Sequence, residues 1–334
     1  MTAQPHDAFF KAAFASREHA RSVVHRMVPA LESADPTLIA WETMKCEPTS
    51  FVDPELDPYH TDLLFSVGIA GAPAYIYFLL EHQSTTDHDM PYRVLEYLMR
   101  VWDYYDAQQR ELHPKRTRRS PIPLIIAIVI SNVQGGWKGP LSFHDLCEPH
   151  PSSLPGLENL VPHFSLLLLD LSDVSNDDLS SWALAAFPKA ALFALRDARD
   201  PAKLLQDFEH WGALMAEAAQ APSGMEAVRQ LMRYLALASP NLNMAEFRAR
   251  IRQYLPKAET ELMTIYEQAR QEGLQTGRQE GQVRTIAKQL ALKFGELPAA
   301  YATRLQAATT EDLDRYLERI LTADSLAAVF GDPV

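Results

Sequence analysis

The chain has 334 residues, more than one compact domain usually holds, and 47% of them are hydrophobic, enough to bury a sizeable core. It is acidic, with 43 Asp and Glu against 31 Lys and Arg and a formal charge of −12, so net charge does not draw it onto a phosphate backbone, and any such contact has to be local. Cys46 and Cys147 are too few for a disulfide framework or a zinc cluster, no apolar run reaches the roughly eighteen residues of a membrane span, and the first residues lack a basic-then-apolar leader, so the expectation is a cytoplasmic protein with no membrane partner.

Residues 7–31 read as one or two helices, with Phe9, Phe10, Phe14, Val23 and Val24 on apolar positions, and residues 38–44 as a short strand. Two apolar runs follow, Leu63-Leu64-Phe65-Ser66-Val67 and Ala74-Tyr75-Ile76-Tyr77-Phe78-Leu79-Leu80, joined by the turn Gly71-Ala72-Pro73. They predict a β-hairpin with an acid at the edge of each strand: Asp62 before the first, Glu81 after the second. Successive strand side chains alternate faces, so Glu81 and Gln83 project to one side and His82 to the other. If pairing brings Asp62 to the Glu81 side, two carboxylates and an amide converge, an oxygen-rich set suited to Mg²⁺, which keeps waters for a substrate phosphate. Acids at strand ends are also commonly just solvated, and both readings stand at this point.

A helix over about 92–109 carries Leu95, Leu98, Met99 and Trp102 at three- and four-residue spacing, with Arg93 and Arg100 in it. The basic run Lys115-Arg116-Thr117-Arg118-Arg119 follows; beside the Asp62/Glu81 face it would grip a phosphate backbone, and elsewhere it is a solvated loop. Leu124–Ile130 reads as a strand buried on both faces, and Phe164–Leu171 as a second one that ends at Asp170, a strand terminator or a further acid. From about residue 179 the pattern is helical and shows no chemistry. Residues 258–294 predict one long helix crossed by Gly273, Gly277 and Gly281 at a spacing of four, which serves either helix pairing or a flexible, charged connection. A small helical module closes the chain, one helix of which Thr310 is placed to cap, with Glu311 and Asp312 in its first turn.

The motifs His6-Asp7-x-x-Phe10-Lys11-x-x-Phe14, Ser50-Phe51-Val52-Asp53, Thr61-Asp62-Leu63-Leu64-Phe65 and Leu79-Leu80-Glu81-His82-Gln83-Ser84, followed by Met90-Pro91-Tyr92-Arg93, together resemble the recombination-promoting nuclease (Rpn, YhgA-like) family of transposase-related proteins over roughly residues 5–250. That resemblance implies an α/β fold with the PD-(D/E)XK, restriction-endonuclease-like core: a mixed sheet flanked by helices in the order helix, hairpin, helix, strand. The chain then divides into a core over 1–178, a helical extension over 179–257, a glycine-interrupted helical linker over 258–282 and a C-terminal helical domain over 283–334, the last similar to a domain of unknown function found behind these nucleases and expected to serve self-association into a homo-oligomer or partner binding. The resemblance also implies a Mg²⁺-dependent endonuclease acting on DNA, with Mn²⁺ able to substitute, and Asp62 and Glu81 as the metal ligands. Gln83 then stands where the superfamily has lysine; an amide orients a water but is no base near neutral pH, so the base stays undefined, with His60 a candidate. Lys11, Arg93, Lys115, Arg116, Arg118 and Arg119 are the candidates for phosphate contact. The turn after the buried strand, Ser131-Asn132-Val133-Gln134-Gly135-Gly136-Trp137, departs from the family's Tyr-Asn-Gly-like form, and a catalytically weak DNA- or protein-binding scaffold derived from a mobile element is the alternative.

Overall fold

A computed structural model of the chain describes residues 5–33, 38–48, 63–69, 75–115 and 117–332. Two short helices come first, α1 (Pro5–Phe14) and α2 (Arg17–Met27), followed by the single turn α3 (Ala30–Ser33). Phe10, Phe14 and Val24 are fully buried, as their helical spacing predicts. Next are β1 (Ile39–Glu47), β2 (Leu63–Ile69), β3 (Tyr75–Gln83), α4 (Met90–Leu112), β4 (Leu124–Ser131) and β5 (Leu167–Asp170).

The five strands form one mixed sheet in the order β1-β2-β3-β4-β5. The first three pair antiparallel, and β3, β4 and β5 pair parallel, with α4 as the crossover from β3 to β4. Cross-strand partners share a face. Glu47, Leu64, Leu79 and Ala127 are consecutive partners across four strands. Their face packs on α4, where Leu64, Tyr77, Leu79 and Val129 join Met90, Val94, Tyr97, Val101 and Tyr105 in one core. The alternate residues of β3 turn to the opposite side, where the Phe10 ring of α1 stacks on His82 at 5.4 Å. Covering both faces makes β2 and β3 the near-continuous apolar runs seen in the sequence.

Two strands differ from expectation. In β4 only the last five residues are buried, with Leu124 exposed and Ile125 and Ile126 half-buried. The apolar run at 164–171 gives only four strand residues, because its first half turns away from β4: Leu166 N–H donates to Leu141 O at 2.7 Å, and Ser165 bridges Ser142.

The remaining helices of this part are α5 (Asn176–Ser181), α6 (Ala186–Asp197), α7 (Pro201–Gln206), α8 (Phe208–Ala218), α9 (Gly224–Ala238) and α10 (Met244–Tyr254). Helix α6 is buried almost all round, packed on α1, α8 and α9. Entry into α9 needs glycine, since a Cβ on Gly224 would fall 1.8 Å from Ala218 O. Residues Met1–Met263 form one compact unit, so the expected core and its helical extension share it, and Thr264–Val334 form the other. Helix α11 (Glu259–Phe294) runs unbroken through its glycines, and nothing lies within 4 Å of a Cβ built on Gly277 or Gly281. In the second unit α12 (Ala299–Gln306), α13 (Thr310–Thr322) and α14 (Leu326–Phe330) close over Ile286 and Leu290 of α11 through Leu305, Leu313, Tyr316, Val329 and Phe330. The cap of α13 lies one residue earlier than the sequence suggests: the Thr309 hydroxyl accepts from Asp312 N–H, and the Asp312 carboxylate accepts from Thr309 N–H. Among the described residues no helix is long and apolar enough to cross a membrane.

Candidate active site at the end of the third strand

Strand β3 ends in Glu81-His82-Gln83, paired in register with Val129, Ile130 and Ser131 of β4. Both strands finish here, and in open sheets ligands gather outside the carboxyl ends of parallel strands. Glu81 is on the α4 face and only 1% exposed, while Gln83 on the same face is half-buried. A buried carboxylate needs positive charge or hydrogen bonds nearby. Arg93, in the first turn of α4, supplies charge: its Nη2 lies 3.8 Å from Glu81 Oε2, while its Nη1 is 2.7 Å from Asp87 Oδ2 and its Nη2 also contacts Met90 Sδ at 3.0 Å. Arg93 is therefore drawn mainly to Asp87 and stands off from Glu81. Asp87 was not among the residues singled out from the sequence; the polar stretch just ahead of α4 was the signal available. Its backbone is packed closely, since a Cβ on Gly139 would come 2.8 Å from Asp87 O.

Asp62, His60 and Arg116 lie outside the described residues. The described β2–β3 ladder ends at the pair Leu63–Leu80, so it stops one residue short of Asp62 on one strand and of Glu81 on the other. Among the described residues no cluster of three or more His, Cys, Asp or Glu side chains is arranged to hold a metal ion. Glu81 and Gln83 offer one carboxylate and one amide, hard oxygen donors of the kind that Mg²⁺ accepts alongside waters. The donor set present thus fits a hard cation once a second carboxylate joins it. Glu47, one cross-strand level below Glu81 on the same face, is committed elsewhere: it accepts from Ser66 Oγ at 2.5 Å and pairs with Lys45 at 3.0 Å.

The basic run sits at the other end of the sheet. Lys115, Arg118 and Arg119 precede β4, whereas Glu81 and Gln83 pair with its last residues, about 20 Å away at roughly 3.3 Å per residue. Arg119 moreover pairs with Asp103 and lies 3.7 Å from Asp106. Asp106 is held below the usual carboxylate range, first by the Ser120 N–H and then by Arg110 and Arg119. The condition under which this run would grip phosphate at Glu81 is not met by Arg119. Asp170 is a turn acceptor, taking hydrogen bonds from Trp137 N–H at 2.5 Å and Ser172 N–H at 3.0 Å.

Behind the strand lies a polar cluster. His82 faces away from Glu81, as alternation predicts, and its Nδ1–H donates to Asp7 Oδ1 of α1 at 3.0 Å. His6, one residue earlier on α1, accepts at Nε2 from Arg199 Nε at 3.2 Å, so its proton sits on Nδ1 and is donated to Tyr234 Oη at 2.8 Å. Burial first, and then the Arg199 charge, push the His6 pKa from 6.5 down to about 3, which keeps the ring neutral. Burial likewise pushes the Tyr234 phenol up, well above its ordinary range. Lys11, four residues after Asp7, belongs to the same α1 and is half-buried. The His6-Asp7 dipeptide was visible in the sequence, whereas its partners Arg199 and Tyr234 lie about 190 and 230 residues on and carried no local signal.

Residues 4–226 match the family described as "Putative transposase, YhgA-like". The chain is 28% identical over 323 residues to the protein named inactive recombination-promoting nuclease-like protein RpnE of Escherichia coli (strain K12), covering 94% of this chain and 96% of that one. It is 27% identical to recombination-promoting nuclease RpnD of Escherichia coli O157:H7, over 80% of this chain and 94% of that one. It is also 27% identical to recombination-promoting nuclease RpnA of Escherichia coli (strain K12), over 81% and 85% of the two chains. No solved structure matches.

Proposed function

The chain belongs to the YhgA-like family of transposase-related proteins, and from that premise we propose that it is a metal-dependent endonuclease that hydrolyses phosphodiester bonds in DNA during recombination, on a PD-(D/E)XK-type core. The observation that carries this reading is Glu81: a carboxylate 1% exposed at the carboxyl end of a parallel strand pair, with Gln83 beside it on the same face. Two relatives named as recombination-promoting nucleases, each matched over at least 80% of this chain, support the reaction class. The order helix, hairpin, helix, strand supports the core.

In this reading Asp62 and Glu81 hold Mg²⁺, with Mn²⁺ able to replace it. When bound, the ion lowers the pKa of a coordinated water and offsets charge on the phosphate. Gln83 orients the attacking water through its amide, as acceptor and donor but not as base. Arg93, paired with Asp87 and 3.8 Å from Glu81, meets a phosphate oxygen at this edge in this reading. His82 takes no part in the chemistry because it faces α1.

A second reading has one specific observation behind it: RpnE, matched over 94% of this chain, is named inactive. In that reading the fold is kept as a binding scaffold. Nicking of supercoiled plasmid by the purified chain separates the two, using Mg²⁺, Mn²⁺ or chelator and the variants Asp62→Ala and Glu81→Ala. Metal-dependent nicking that both substitutions abolish is the expected result. Nicking by none of the proteins in either metal, or nicking equal in all three, overturns the nuclease reading.

A further inference from the structure

The helical region after residue 179 shows no chemistry in its sequence, yet it holds the edge that carries Glu81 and Gln83 at two points, and clasps His6 of α1 behind it. Asn132, directly after β4, donates its backbone N–H to Gln83 O at 3.0 Å, and its side-chain Nδ2 donates to Leu195 O of α6 at 2.7 Å. Arg199, two residues past the end of α6, donates from Nη1 to Ser84 O at 2.9 Å and from Nε to His6 Nε2 at 3.2 Å. His6 in turn is tied to Tyr234 of α9.

The guanidinium therefore grips the backbone immediately after Gln83 with one edge and a neutral imidazole with the other. Among the described residues it has no carboxylate partner within 4 Å. Neighbouring Arg196, by contrast, is paired with Asp197 and Asp207. Arg199 instead spends its fork on a main-chain carbonyl and a histidine acceptor, groups that fix position.

We propose that Arg199 is a positioning residue for the candidate active site: through Ser84 O and His6 it sets the end of β3, and so the aim of Glu81 and Gln83. The helical extension is then part of the site's supporting shell. This inference rests on the reading of Glu81 and Gln83 as the reacting edge. Shells of this kind change activity about 10- to 100-fold when broken.

The test uses the full chain as wild type, Arg199→Ala and Arg199→Lys. Plasmid cleavage is followed with Mn²⁺, with and without added guanidinium, and backbone amide exchange is followed at residues 81–84 and at Asn132. The expected result is a fall in kcat of about 10- to 100-fold in Arg199→Ala, KM for DNA within about twofold of wild type, partial recovery with guanidinium, and faster exchange at Gln83 and Asn132 while α4 is unchanged. Arg199→Lys, which keeps one donor for Ser84 O, falls between. A rise in KM alone overturns positioning in favour of direct phosphate contact, and unchanged kcat and exchange overturn it altogether. Should the wild type cleave nothing, the nuclease reading fails on that result, and the exchange at Gln83 and Asn132 alone decides whether Arg199 sets the strand end.

Discussion

On the α4 side of β3, Glu81 and Gln83 meet a loosely balanced set of charges, in which Arg93 is pulled 2.7 Å from Asp87 and stays 3.8 Å from Glu81. On the α1 side, His82 sits among Phe10, His6 and Asp7, every one of them held by a ring contact or a hydrogen bond. The same three residues of strand thus present to one side a buried acid whose nearby guanidinium leans toward a second carboxylate, and to the other a ring stacked on Phe10 and hydrogen-bonded to Asp7. Groups that bind charged ligands tend to resemble the first, and groups that fix a backbone the second. On the proposed reading, chemistry belongs to the first face and support to the second.

The largest effect expected on the α4 face is that of Glu81→Gln. Cleavage falls about 100-fold or more, while the thermal midpoint is unchanged or higher, because a neutral isostere removes the desolvation penalty of a buried carboxylate. A stability loss as large as the activity loss would make Glu81 a structural residue and erase the contrast between the faces. On the α1 face the order reverses. Phe10→Ala, which empties a fully buried ring site under His82, lowers unfolding free energy by about 3–5 kcal/mol in urea titration.

The His6 ring sharpens the same contrast through pH. Folded, it titrates near 3; unfolded, near 6.5, so between these values the unfolded chain binds the extra proton. Its contribution to stability is complete above about pH 6.5 and is lost progressively as the pH falls toward 3. Stability of the wild type against pH should therefore be steeper than that of His6→Gln between pH 6 and 4, by at most about 1.4 kcal/mol per pH unit. Parallel curves would show that His6 is not the neutral centre of the cluster. The smallest effect is that of Arg119→Ala at the far end of the sheet, expected to change stability by under about 1 kcal/mol and KM for DNA by less than twofold. A large rise in KM would mean that DNA runs the full length of β4.

Much of this was legible in the chain itself, for reasons that can be named. Strict alternation put His82 opposite Glu81, because it depends only on neighbours, whereas the α4 face read from Leu95, Leu98, Met99 and Trp102 was set off from the true one: Leu98 is buried, Leu95 and Trp102 are half-buried, Met99 is 48% exposed, and the core side runs through Val94, Tyr97, Leu98, Val101 and Tyr105. The location of the basic run was not legible, since a run between a helix and a strand lies at the end of the sheet where the crossover finishes, and only the parallel pairing of β3 with β4 puts that end away from Glu81. The apolar run at 164–171 was overread as strand because hydrophobicity does not say which partner it will pair with, and Leu141 and Ser142 took the first half. Thr309 rather than Thr310 caps α13, a one-residue choice that two adjacent threonines leave open until the carboxylate of Asp312 closes the box. Arg199, Asn132 and Tyr234 carried no local signal because their roles exist only through contacts far apart in sequence, up to 228 residues for the Tyr234–His6 pair.

In the proposed reading Glu81 holds a metal ion, and Mn²⁺ binding tests this without any substrate. Electron paramagnetic resonance titration of the wild type and Glu81→Gln, at equal concentrations and matched buffer, should show a saturable Mn²⁺ site in the wild type that is lost or weakened at least about tenfold in the variant. Identical isotherms for the two proteins, with or without a site, would contradict the account and leave Glu81 as a buried acid balanced by Arg93.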